Sequence, residues 1–453
     1  MDVLSLLCRP AQRLQASQPD ALFHTGAENE SRWWMAADDI KDINWRNPMA
    51  RQDWKIAVVG GGIGGLTLAL ALREHGIEVD IYEQANELRE IGAAVALSAN
   101  ANHFFQRVGL REKMDQVCCS IPTLIYRDGR DGRVIGRHGG EPSYEERFGA
   151  CYWGVHRADF QMVLSQAVGM ERIHLGKRLR ELKDSGDEVV LEFEDGSSAV
   201  ADLVIGADGA RSTVRKLLLG YDDCIYSGTS GFRGIVPADK LDLLPDPEAI
   251  QFWMGPGGHL LHYPIGTRGD HNFLLVERNP SVWPSRDWVI PSEPGEQLRR
   301  FHDWHPAVVQ MISAVPTSPR WGLIYRWPLG RWTRGRVTLL GDAAHALVPH
   351  HGQGANQSIE DAVVLAASLG KHGRAGLPEA LESYERLRRG RTRKVTYASV
   401  TTADMLHLPD GPAADARNAR FSSPDAVLHH LDWIHDFDPH AQVPTERQGG
   451  TWL

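Results

Sequence analysis

The most regular hydrophobic pattern in the chain runs through KIAVVGGGIGGLTLALALREHGIEVDIYEQ, residues 55–84. A short apolar run at 55–59 predicts a buried strand, 64–75 a helix and 78–82 a second strand. Two later stretches repeat the strand-then-turn pattern. DLVIGADGARSTVRKLL (202–218) reads as a buried strand, a Gly-rich turn holding Asp208 and Gly209, and a helix. RVTLLGDAAHALVPHHGQG (336–354) reads as a strand, a turn at Gly341 and Asp342, and an irregular stretch ahead of a helix that starts near Gly354. Between them, 226–320 is a series of strand-length segments with long loops: SGFRGIVP, AIQFWMG, GHLLHYPI and HNFLLVER. Over 259–264, strand alternation puts His259, Leu261 and Tyr263 on one face and Leu260 and His262 on the other; one face should line a pocket. Residues 1–52, with Trp33, Trp34 and Trp45, carry no sustained period and read as a leader or as a segment that folds over the body.

Glycines fall at Gly60, Gly62 and Gly65, giving G-x-G-x-x-G between the first strand and helix. Gly60 allows the turn, Gly62 lets a pyrophosphate approach the backbone, and Gly65 lets the helix pack close to the strand. Glu83 ends the second strand, at the offset where an acid binds a ribose hydroxyl. An acid there disfavours a phosphorylated ribose, and the pattern alone fits NAD or FAD. No second G-x-G-x-x-G follows, so one nucleotide fold with two further acidic turns suits a single large cofactor lying along the sheet.

Composition narrows the class without changing it. The chain has 453 residues, 42% hydrophobic and 24% charged, as in an ordinary globular enzyme, and its net charge of −9 argues against nucleic-acid binding. The basic run ERLRRGRTRK (385–394) reads as a solvated helix face. Five cysteines without C-x-x-C spacing fit a reducing cytoplasm. The longest apolar run, 56–72, is too short and glycine-broken for a membrane span. A monomer or homodimer with no membrane partner is expected.

The Gly fingerprint with Glu83, GADGARS, and GDAAH followed by P, GQG and EDA resemble the three motifs of the single-component (group A) FAD-dependent aromatic hydroxylases. HRADF (156–160), YSG (226–228) and HLLHYP (259–264) resemble the salicylate hydroxylase and 6-hydroxynicotinate monooxygenase branch. The likeness spans about residues 54–410. It implies an α/β fold: a doubly wound, Rossmann-like FAD-binding domain over 53–225 and 320–405. A β-rich substrate domain at 226–319 would be inserted in it, as in p-hydroxybenzoate hydroxylase, with 406–453 a tail packed on the surface without chemistry. It also implies NAD(P)H as a transient reductant, O2, and hydroxylation of a small aromatic or heteroaromatic ring through a C4a-hydroperoxyflavin, with decarboxylation where an ortho carboxylate is present. By the same resemblance, Glu83 binds the adenosine ribose, Arg89 and Arg157 reach toward the phosphates or ribityl chain, and Asp342 bonds the ribityl hydroxyls. Asp208 lies near the pyrophosphate and is implicated in NAD(P)H use.

The stretch 341–362 admits three readings: a metal site, a phosphate loop, or a cofactor wall. His345, His350 and His351 lack metal-ligand spacing, and no Lys follows for a phosphate loop, so no metal is expected. In the cofactor reading, free N–H groups at Gly354, Ala355 and Asn356 face the flavin edge that gains charge on reduction. The resemblance to the hydroxylases places Pro349, and the His350 that follows it, on the substrate-facing side of the flavin ring. A phenol of pKa ~10 costs about 4 kcal/mol to ionise at pH 7, and a neutral imidazole can take that proton. His350 is therefore the candidate base, with Pro349, Tyr263 and Arg233 completing the catalytic set. Arg233 pairs a substrate carboxylate or supports the flavin. Phe232, where relatives carry Tyr or His, makes the expected pocket wall less polar. That suggests the rival reading of epoxidation or oxidative rearrangement of a larger natural product; a non-catalytic nucleotide-binding protein is the other rival.

Overall fold

The computed structural model describes residues 54–88, 94–139, 142–220, 223–279, 282–423 and 431–443. The expectations for residues 1–52 and for Arg89 lie outside the described residues.

Three parallel strands form the middle of a six-stranded sheet: Ile56–Val59 pairs with Val79–Tyr82 on one side and Leu203–Gly206 on the other. Val337–Leu339 and the short Thr333–Arg334 extend one edge, and Ile173–His174 the other. The helix Ile63–Arg73 is apolar almost all round because it is buried almost all round. A Cβ on Gly65 would sit 2.1 Å from the Gly60 carbonyl oxygen, so only glycine lets this helix lie so close to the strand end. These elements start or stop within two residues of the sequence expectation, and the fold is the doubly wound α/β arrangement that the resemblance implied.

The second large sheet has eight strands in the order Val289–Ile290, Arg320–Tyr325, Ile225–Val236, Asp270–Arg278, Gly258–Ile265, Ile250–Gly255, Leu124–Asp128 and Val134–His138. Its last two strands come from the segment before residue 226, and Leu124–Asp128 joins in parallel to Ile250–Gly255. TLIYRDGRDGRVIGRH carries an ordinary hairpin signal, two strand-like runs around a Gly- and Asp-rich turn. Nothing local says which sheet that hairpin joins.

A buried ionic network ties the two halves of the cofactor-side scaffold together. Glu360 and Asp361, both fully buried, lie on the helix Gly354–His372. Arg388 donates to both carboxylates, and Arg391 donates twice to Glu360, at 2.6 and 2.7 Å. Asp361 also accepts from the Gly341 backbone N–H at 3.0 Å and is bonded to the His345 ring. Both arginines come from the basic run at 385–394, which therefore is not simply a solvated face. Arg386, Arg393 and Lys394 are exposed as expected, whereas Arg388 is 0% exposed. The reason is helical spacing: Arg388 and Arg391 share the inward side of Leu377–Leu406, opposite the two acids.

Removing one partner of a buried pair leaves the other charge uncompensated. Arg388→Met should lower the unfolding free energy by about 3–5 kcal/mol in denaturant melts. A loss below about 1 kcal/mol would mean that Glu360 and Asp361 find other partners.

Candidate active site

One cavity of about 730 Å³ runs from the glycine-rich turn to the eight-stranded sheet, a volume within the range of cofactor and ligand sites. Gly60, Gly62 and Glu83 line its first end. Gly60 has φ +113°, and a Cβ there would meet the Ala207 carbonyl oxygen at 2.4 Å, so the turn requires glycine. Glu83 accepts from the Gly61 N–H at 2.7 Å and from the Ala85 N–H at 2.8 Å. Its carboxylate thus holds the turn open and keeps spare lone pairs toward the cavity. Gly65 is not in the wall; its contribution is the close packing described above.

Asp208, Asp342 and Arg157 line the middle of the cavity. Asp208 is committed to the helix Thr213–Leu219: it accepts from the Thr213 and Val214 N–H groups at 2.7 and 3.0 Å and from the Ser212 hydroxyl. Burial pushes its carboxyl up from the ordinary value, and these donors oppose the push. Arg157 is pushed down by burial, with the charge of Asp342 opposing. Arg215 donates to the Ala343 and Ala344 carbonyls at 3.1 and 3.0 Å, and Arg326 to Ala210, so the two acidic turns are riveted to each other.

The helix Gly354–His372 begins at the cavity with Gly354 and Ala355 in the wall. No side chain caps it, because the N-cap Gln353 side chain bonds Ser98 and Asn100 instead. The first N–H groups, at 354–356, have no helical carbonyl to pair with, and the helix presents its positive end. The Asn356 side chain does not reach the cavity. It donates to the Ala96 and Gly352 carbonyls and accepts from the Ser98 N–H, clamping the strand Ala94–Leu97 to the loop before the helix. Its part in the site is confined to its backbone and this clamp.

Strand register settles which face of the eight-stranded sheet forms the wall. Arg233, Leu274, Leu261, Phe252 and Tyr126 are cross-strand partners in one row, and all five line the cavity. Tyr263, paired with Asn272, lines it too, so the 259/261/263 face is the one that looks inward. The neighbouring row, Phe232, Leu275, Leu260 and Trp253, packs into the core on the opposite side. The expectation that Phe232 reduces the polarity of the pocket is therefore overturned: adjacent strand residues point to opposite faces, and Arg233 is the one inside. Arg233 lies over the Trp321 ring at 5.0 Å, and its Nε is buried with no partner among the described residues. Burial pushes it down from its ordinary value, with Tyr263 opposing.

Pro349 and His350 complete the sheet end. His350 is 1% exposed, and both ring nitrogens are buried without a partner among the described residues. Burial pushes its imidazole down to about 4, so it is neutral at pH 7. Its ring meets that of His259 edge to face, centroids 5.5 Å apart. The tail also enters the site, contrary to the expectation of surface packing alone: Leu406, Leu431 and His435 line the cavity. Tyr144 and Tyr152, which sequence reading passed over, line it beside them; Tyr144 bonds His435 at 3.0 Å. The tail's role is long-range and leaves no local signature.

His350 refuses a proton that the unfolded chain accepts. Stability should therefore be complete above about pH 6.5 and fall as pH drops toward about 4, by up to about 1.4 kcal/mol per pH unit for each such histidine. Urea melts of His350→Leu between those limits should show a shallower loss than the wild type. Equal slopes would mean His350 is not held neutral by the fold.

A family model described as FAD binding domain matches residues 53–399. The 3-amino-4-hydroxybenzoate 2-monooxygenase of Streptomyces platensis is 38% identical over 385 residues, 85% of this chain and 96% of that protein. The 6-hydroxynicotinate 3-monooxygenase of Pseudomonas fluorescens is 33% identical, covering 76% of this chain and 90% of its own. A salicylate hydroxylase substrate complex is similar with a TM-score of 0.74 at 30% identity, over 87% of this chain and 99% of that one.

Proposed function

We propose a substrate for this chain on one premise: it belongs to the FAD binding domain family and is an FAD- and NAD(P)H-dependent monooxygenase that hydroxylates aromatic or heteroaromatic rings. The substrate is a small ring acid with an ionisable hydroxyl, of the class named for the similar 3-amino-4-hydroxybenzoate and 6-hydroxynicotinate enzymes, and O2 is the second substrate. The observation that carries this reading is His350: a neutral, buried imidazole on the cavity wall with both nitrogens unpartnered among the described residues.

The residues present fit FAD. The turn at Gly60 has room for backbone approach and none for a side chain, and a Cβ on Gly354 would meet nothing beyond its own helix and chain neighbours closer than Asp342 Oδ1 at 4.0 Å. Glu83 would hold the ribose, Arg157 and Asp342 the middle of the cofactor, and the start of the helix Gly354–His372 the ring edge. Bound there, FAD supplies reduction by NAD(P)H and the transfer of one oxygen atom from O2. Ring attack by an electrophilic oxygen needs an electron-rich ring, which is the reason to ionise the hydroxyl first. His350 takes that proton at a ring nitrogen, and the half-buried guanidinium of Arg233 offers the carboxylate a partner in a setting that screens charge poorly. Tyr263, its phenol pushed up by burial, stays protonated and can donate to the bound ring.

His350→Ala should keep its FAD and lose about 10²–10⁴ in kcat, with a smaller change in KM. Wild-type turnover at normal flavin content would remove the base from the mechanism. The substrate class is tested by product mass with NADH or NADPH against 3-amino-4-hydroxybenzoate, 6-hydroxynicotinate, 3-hydroxybenzoate and salicylate. One oxygen gained, or a carboxyl exchanged for hydroxyl, is the expected result. Cofactor oxidation that yields only peroxide with every acid would place the substrate outside this class.

A further inference from the structure

We propose that the tail segment 431–437 is the last wall of the ring-acid site and keeps water from the reacting oxygen, with Asp432 and Arg391 as the residues that position it. The proposal rests on the chain being a monooxygenase and does not depend on which ring acid binds. Leu431 and His435 line the cavity together with Tyr144, Phe148 and Tyr152. The His435 ring stands 5.7 to 5.9 Å from each of the other three rings, so these side chains make one packed wall. A Cβ on Gly352 would lie 3.9 Å from the Tyr152 hydroxyl oxygen, so the wall adjoins the loop that carries His350 and not the ribose end. Without Leu431 and His435 the wall is incomplete.

Cations from two helices converge on this one short segment. Arg147 Nη2 donates to both Asp432 carboxylate oxygens, at 3.0 and 2.8 Å, and it belongs to Tyr144–Phe148, the helix that also supplies two rings of the wall. From Leu377–Leu406, Arg391 donates to the Trp433 and Ile434 carbonyls at 2.9 Å each, while its remaining donors hold Glu360. Its guanidinium lies 3.6 Å from the centre of the Phe437 ring, and Lys394 lies 4.1 Å from that of Trp433. The tail therefore hangs on an arginine that also neutralises the buried helix acid. On the inner side, His435 Nδ1 is bonded to the Tyr144 hydroxyl at 3.0 Å, and that hydroxyl accepts from the Ala99 N–H at 3.1 Å. Ile434 is buried, as is His435. The segment is thus held by charge outside and by rings inside.

What such a wall does follows from the reaction. Productive turnover passes two electrons from NAD(P)H to O2, places one oxygen atom on the ring and releases the other as water. Where solvent reaches the site before the ring reacts, NAD(P)H, a proton and O2 leave instead as NAD(P)+ and hydrogen peroxide. Excluding water suppresses side reactions of this kind. Asp432 does not line the cavity, so it affects oxygen transfer only through where it holds the tail. It is a positioning residue.

The test compares wild type, Asp432→Ala, His435→Ala and His435→Phe, each FAD-loaded and screened for flavin content and melting temperature. Product and peroxide formed per NAD(P)H are measured with whichever of the four ring acids is turned over fastest. Both alanine variants should lower product per NAD(P)H by about twofold or more, with peroxide making up the difference and NAD(P)H oxidation itself within about threefold of wild type. His435→Phe refills the wall and should stay coupled. Wild-type coupling in both alanine variants overturns the proposal, and so does a Phe variant that leaks as much as the Ala variant, since His435 would then act through its nitrogens. A second measurement needs neither variant nor substrate: hydrogen exchange of the FAD-loaded wild type. The amides of 432–437 should exchange about a hundredfold or more slowly than exposed ones, and fast exchange there overturns a fixed wall. If the wild type hydroxylates none of the acids, the substrate reading fails, and the exchange result still decides the wall.

Discussion

Two adjacent carboxylates in one helix, Glu360 and Asp361, hold the cofactor side of this molecule in register. Both are fully buried, so each must be neutralised by hydrogen-bonded cations, and Arg388 and Arg391 supply them from the next helix. Asp361 spends its other oxygen on the Gly341 N–H and His345, which fixes the turn carrying Asp342. Asn100 adds a neutral donor to Glu360 from the far side. The helix Gly354–His372 and the acidic turn are thus set by one cluster whose members cannot move singly without exposing an unpaired charge to a low-dielectric interior. Such a scaffold suits a site that must hold a large cofactor edge and a small ring at fixed separation.

At the sheet end the governing effect is desolvation. Burial keeps His350, His259 and His407 neutral and pushes the Tyr263 phenol up, so in each case the uncharged form is favoured. Arg233 and Arg157 are cations of the cavity wall. A phenol entering this space meets His350, whose ring nitrogens have no partner among the described residues, and a carboxylate meets the Arg233 guanidinium. The same burial makes the fold sensitive to acid, because the unfolded histidines bind protons that the folded ones exclude.

The cofactor end was legible because its constraints are local. Gly60, Gly62 and Gly65 answer to backbone geometry within a few residues, and Glu83 to the length of one helix and strand. The sheet end was legible only in part. Alternation separated His259, Leu261 and Tyr263 from Leu260 and His262, and tertiary packing was needed to say which set faced inward. Phe232 was misjudged for the same reason: it adjoins Arg233 and points the other way. The basic run hid two inward-facing arginines because their partners, Glu360 and Asp361, lie 27 to 31 residues away. His435 carries no pattern at all; only the fold brings the tail against the cavity.

The most direct measurement is a crystal structure of the FAD-loaded enzyme with 3-amino-4-hydroxybenzoate bound. The ring hydroxyl is expected within hydrogen-bond distance of a His350 nitrogen, with the carboxylate turned toward Arg233. A ring seated in the same cavity with His350 still unpartnered would contradict the assignment of His350 as the group that ionises the substrate.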